Sequence, residues 1–141
     1  MNLNFHPLEK TISVMYIDDD EEDIALFQEA LVDIGSPISF QSFSNGFDAL
    51  NYLEQAITLP DYLFLDVNMP RMSGKEILIH LKKDSKLKSI PVILFTTSNF
   101  EHEVKAFFRE GASGFIHKGI TLAQIRDDIA GALKLNKSSG N

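Results

Sequence analysis

Six consecutive acids, Asp18-Asp19-Asp20-Glu21-Glu22-Asp23, follow directly on the apolar run Thr11 to Ile17. Three further polar residues close apolar runs: Asp66 after Tyr62-Leu63-Phe64-Leu65, Thr96 after Ile90 to Phe95, and Lys118 after Gly114 to His117. Crowded carboxylates repel, so they stay together only around a cation or with some of them protonated. An all-oxygen ligand set with water access suits Mg²⁺, which keeps several of its own waters. Asp19 and Asp66 could bind such an ion directly and Asp18 through water, with a loop carbonyl such as that of Asn68 completing the protein's share. A lysine and a threonine opposite the metal suit a phosphoryl group, which carries several acceptor oxygens. With no cysteine, no Ser-His-Asp pattern and no glycine-rich phosphate loop, a carboxylate is left as the phosphoryl acceptor.

Strands must hold these residues. Thr11 to Ile17 is rich in β-branched residues and reads as a buried strand. Ile24, Phe27, Leu31 and Ile34 then recur at helical spacing up to a stop at Gly35. Pro37 to Phe43 is a second strand, and Phe47 to Ile57 a second helix after the turn Ser44-Asn45-Gly46. Tyr62 to Leu65 is a third strand, followed by a loop over 68–74 and a helix from Lys75 to Lys83. Ile90 to Phe95 and Gly114 to His117 are the last strands, with a helix from Glu101 to Glu110 between them. Thr121 caps a fifth helix, in which Leu122, Ile125, Ile129 and Leu133 share a face.

Five strands alternating with five helices is the pattern of a doubly wound α/β parallel sheet, because parallel neighbours need crossover connections. In such sheets ligands bind beyond the carboxyl ends of the strands, so the acids, Thr96 and Lys118 would converge on one rim.

The chain has 141 residues, 44% of them hydrophobic, which suits one domain with its core over about 11–135 and a fraying tail from Asn136. No apolar stretch approaches the roughly 18 residues of a bilayer span, and the start has neither a basic nor a hydrophobic signal region. A cytoplasmic protein without a membrane partner is expected, in keeping with the lack of cysteine. The net charge is −7, but outside the acidic run 14 acids face 13 bases. The acidity is therefore local, and with no basic stripe a nucleic-acid partner is disfavoured.

Taken in order, the acidic pair in Ile17-Asp18-Asp19-Asp20, the run Leu65-Asp66-Val67-Asn68-Met69-Pro70-Arg71-Met72-Ser73-Gly74, the strand Pro91 to Thr96 and the segment Gly111 to Lys118 resemble the receiver domain of two-component response regulators. The resemblance covers roughly Ser13 to Leu135. It implies a flavodoxin-like sheet of order 2-1-3-4-5. It also implies that Asp66 takes a phosphoryl group from a histidine kinase or phosphotransfer protein while Asp18 and Asp19 hold Mg²⁺. Lys118 would pair with the acyl phosphate, and Thr96 and Phe115 would act as the switch pair. An output protein would read the face of helix four, strand five and helix five. The chain is expected to be a stand-alone switch that phosphorylates and slowly dephosphorylates itself, not an enzyme acting on a separate substrate; a homodimer stays open. It departs from the family in having Gly119 where proline commonly follows the lysine, and phenylalanine where tyrosine is frequent at 115.

Two other readings remain. Asp18 and Asp20 have the spacing of nucleophile and acid in haloacid-dehalogenase-like Mg²⁺-dependent phosphohydrolases, though that leaves Asp66 unexplained. A receiver-like binding module without phosphorylation is the other. Glu21, Glu22 and Asp23 are taken as a solvated first helical turn favoured by the macrodipole. A calcium loop starting at Asp18 fails because its turn position holds Asp23 instead of glycine.

Overall fold

The computed structural model describes residues 11–97, 101–118 and 121–135. In chain order the elements are β1 (Ile12–Ile17), α1 (Glu21–Ile34), β2 (Ile38–Phe43), α2 (Gly46–Gln55), β3 (Tyr62–Leu65), α3 (Gly74–Lys83), β4 (Val92–Thr96), α4 (Glu101–Arg109), β5 (Gly114–His117) and α5 (Leu122–Ala132). The strands form one parallel sheet in the order β2-β1-β3-β4-β5, as the resemblance implied.

Alternation along each strand divides the core into two layers. Met15, Ile17, Leu63, Leu65, Val92 and Leu94 face α2, α3 and α4, where Leu53, Ile77, Leu81 and Phe107 close an aliphatic layer. Val14, Tyr16, Phe64, Ile93 and Phe95 face α1 and α5, together with Phe27, Ile125 and Ile129. This second layer is aromatic. Phe27 lies 4.4 Å from the Tyr16 ring and 4.9 Å from that of Phe64, within the range of favourable ring contacts. Burial on both faces explains why the strands read as unbroken apolar runs.

Local chemistry sets the helix ends. Asp20 caps α1 by accepting from the amides of Glu22 and Asp23, and Gly35 ends it at a φ of 83°. Ser73 and Glu76 form a reciprocal capping box on α3, and Thr121 caps α5 as expected. Asn45 caps α2 through the Asp48 amide, which draws Gly46 into the helix. The same helix stops at Gln55 instead of reaching Ile57: Ala56 turns to extended backbone, and Ile57 is fully exposed. β4 begins at Val92 and not at Ile90, since Pro91 has no amide to donate; its carbonyl still accepts from the Leu63 amide.

Sequence periodicity assigns no element between α3 and β4. There the Asp84 carboxylate accepts from the amides of Lys86 and Leu87, and the Lys82 ammonium donates to the carbonyls of Lys88 and Ile90. These bonds let Leu87 and Ile90 bury their side chains. The tail from Asn136 and the Lys118–Gly119 connection lie outside the described residues.

Candidate functional site

The carboxyl ends of β1, β3 and β5 each extend the ladder by one bond. The Asp18 amide donates to the Phe43 carbonyl at 3.0 Å, the Asp66 amide to Ile17 at 3.0 Å, and the Lys118 amide to Thr96 at 2.8 Å. Three residues from distant parts of the chain are thereby carried to one rim as prolongations of a rigid sheet. Among the described residues, Asp18, Asp66, Thr96 and Lys118 are the buried polar or charged side chains, at 0, 5, 1 and 7% exposure. All four are residues that the sequence marks. Asp19 is exposed, as is Asn68 in the loop after β3.

The Lys118 ammonium donates to Asp18 Oδ2 at 2.8 Å, Asp23 Oδ2 at 2.9 Å and Asp66 Oδ1 at 3.2 Å. Asp18 is held from both sides. Its Oδ1 accepts from the Asp20 amide at 3.0 Å, and its Oδ2 accepts from the Tyr16 hydroxyl as well as from Lys118. Burial pushes the Asp66 carboxyl up to about 6, helped by the Asp18 charge and opposed by Lys118. Burial alone would lower Lys118, but its bonds to Asp18 and Asp23 outweigh this and hold it above the ordinary lysine range. Tyr16 is pushed up by burial and by donating to Asp18.

Asp18, Asp19 and Asp66 can each offer one oxygen, all within 4.8 Å of one another. The donors are all hard oxygens and one of the three is exposed, so the set fits a partly hydrated Mg²⁺. Beside it opens a concavity lined by Asp19, Glu21, Asn45, Phe47, Pro70 and Arg71.

The loop after Asp66 is shaped by close backbone approach. A Cβ at Gly74 would stand 2.5 Å from the Asp66 carbonyl oxygen and 2.7 Å from Val67 Cα, so only glycine fits there. The Gly74 amide donates to the Val67 carbonyl at 3.2 Å and closes the loop on itself. Arg71 holds a φ of 67°, a left-handed conformation uncommon for a side chain of its size.

Thr96 lies beneath a small cleft shared with Val67, Leu94, Val104 and Phe107. Phe115 is half-buried against the aliphatic layer, on the β5 side of that region.

Two contributors escape the sequence reading. Asp23, taken as a solvated acid, reaches Lys118 across 95 positions, and no local pattern announces it. Tyr16 did leave a signal: it sits two residues before Asp18 on the same strand face, with a polar tip at the end of a buried ring. Asp20, the acid that a phosphohydrolase spacing would employ, is occupied in capping α1.

Residues 14–130 match the family model of the response regulator receiver domain. Among curated proteins the chain is similar to the response regulator Rcp1 of Synechocystis sp., at 27% identity over 84% of each chain. It is also similar to the chemotaxis protein CheY-3 of Vibrio cholerae, at 26% identity over 86% of this chain and 92% of the other. Among solved structures, the phosphorylated cyanobacterial phytochrome response regulator RcpA superposes with a TM-score of 0.80 at 28% identity, covering 94% of this chain and 98% of that one. A family model spanning nearly all of the sheet, on the strand order and acid-bearing rim just described, places this chain in the response regulator receiver domain family.

Proposed function

We propose that this protein is a phosphorylation switch in which Asp66 accepts a phosphoryl group from the phosphohistidine of a sensor kinase or phosphotransfer protein. One observation carries the reading: the buried polar side chains of the described residues meet at one rim, with Asp66 paired to Lys118 at 3.2 Å and within 4.8 Å of an oxygen of the exposed Asp19. An Asp66 carboxylate oxygen forms a bond to phosphorus as the phosphorus–nitrogen bond of the phosphohistidine breaks, and the imidazole leaves. Lys118, already positioned beside Asp66, donates to the phosphoryl oxygens, and Thr96 supplies a hydroxyl from the end of β4. Asp18, Asp19, Asp66 and the Asn68 carbonyl would hold Mg²⁺, which would offset the negative charge gathered at the rim. Tyr16 and the Asp20 amide keep Asp18 in place for this task.

That the similar RcpA is named as phosphorylated supports the reading. We read residues 1–141 as one receiver domain working in the cytoplasm, its output delivered through a protein that binds the face of α4, β5 and α5. Thr96 and Phe115 would relay the signal to that face. Incubation with Mg²⁺ and phosphoramidate should add one phosphoryl mass to the intact protein and none to Asp66→Asn. Labelling that survives this substitution would overturn the assignment.

A further inference from the structure

Lys118 has three N–H donors, and three carboxylates take them. The two shorter bonds go to Asp18 and Asp23, and the longest to Asp66. These partners differ in what they would lose if Lys118 turned away. The Asp18 side chain is 0% exposed and that of Asp66 8%, so either would be left as a buried charge short of its cation. The Asp23 side chain is 30% exposed, so water can replace Lys118 there. Asp23 also lies in the first turn of α1, where the helix N-terminus favours a free carboxylate.

On the reading that Asp66 is the phosphoacceptor, we propose that Asp23 is a positioning residue: it holds Lys118 toward α1 in the resting state and releases it to the phosphoryl group. A phosphoryl group on Asp66 brings further acceptors within reach of the ammonium, and a donor must be freed to meet them. Asp23 is the partner that gives one up most cheaply. It therefore competes with the phosphoryl group for Lys118, and removing its charge strengthens the bond between Lys118 and that group.

Beryllium trifluoride with excess Mg²⁺, titrated against amide NMR shifts, measures this competition at equilibrium. Asp23→Asn should bind this phosphoryl mimic about fivefold more tightly than the parent, the size expected for a pair in direct contact. Glu22→Gln removes the same charge from the neighbouring exposed position and should change affinity by less than about twofold, as should Asp23→Asn placed in a Lys118→Met background. Equal tightening by Glu22→Gln, a gain that persists without the lysine, or no gain at all would each overturn the proposal. Should Lys118→Met fail to fold, the Glu22 comparison decides alone. Binding that requires Asp66 yet ignores Asp23 defeats only this inference, whereas binding equally strong in Asp66→Asn removes the phosphoacceptor reading with it.

Discussion

Lys118 and Arg126 present the same local geometry in two different settings. Each is a cation from the C-terminal part of the chain that reaches an acid of α1: Lys118 meets Asp23 at 2.9 Å, and Arg126 meets Asp33 at 2.9 Å. Each also has a further acid, Asp18 at 2.8 Å for Lys118 and Asp127 at 3.1 Å for Arg126. Burial separates them. The side chains of Lys118 and Asp18 are 9 and 0% exposed, those of Arg126 and Asp33 34 and 49%. Contact distance therefore does not tell how much an ion pair matters. In water a lost partner is replaced by solvent, but beneath the rim it leaves a stranded charge.

The largest expected effect follows from stranding the carboxylates. Without metal, Lys118→Ala should lose about 3–5 kcal/mol of stability in urea denaturation at pH 8, because Asp18 and Asp66 stay buried without a cation. Millimolar Mg²⁺ should recover much of that loss, since the ion supplies the missing positive charge. A Lys118→Ala protein that folds but binds no Mg²⁺ by calorimetry would contradict the placement of the metal among Asp18, Asp19 and Asp66.

The acid on the other side of that pair should behave oppositely. With its carboxyl at about 6 in the folded protein, Asp66 keeps a proton that the unfolded chain releases near 4. Its favourable contribution is therefore complete below about pH 4 and is lost as the pH rises through about 6. Asp66→Asn should match the parent at pH 4 and exceed it by about 3 kcal/mol at pH 8 in the presence of chelator. A parent protein no less stable than Asp66→Asn at pH 8 would show that Lys118 fully compensates the buried charge.

Tyr16→Phe tests a neutral donor to the same buried carboxylate. Losing its hydroxyl should cost about 1.5 kcal/mol, the ordinary weight of a hydrogen bond to a charged group, while the ring contacts with Phe27 survive. Thermal unfolding with and without Mg²⁺ would check it, and a loss erased by the metal would mean that Asp18 is repositioned by the ion. Arg126→Ala should leave the urea midpoint within the scatter of repeat measurements, at low and at high salt alike. A clear shift there would collapse the contrast between the buried and the exposed cation.

Much of this architecture follows from local pattern. Strand and helix order come from apolar periodicity, and the residue at or just after a strand's end is delivered to the carboxyl rim, which is why Asp18, Asp66, Thr96 and Lys118 stand out in the sequence as candidate site residues. The caps Asn45 and Asp20 were less visible, because they act through local side-chain bonds to amides that periodicity does not record. The pairing of Lys118 with acids 100, 95 and 52 positions away was decided only by the tertiary structure. So was the requirement for glycine at 74, where α3 starts against the Asp66 backbone. The physical reason is that a strand's own sequence determines that its end is buried, whereas which donors and acceptors meet there depends on strand order, register and the return of α1 across the rim. Asp23 and Glu22 are neighbours in one acidic run with the same local prospects, and only the packed sheet turns one of them toward Lys118 while the other faces water.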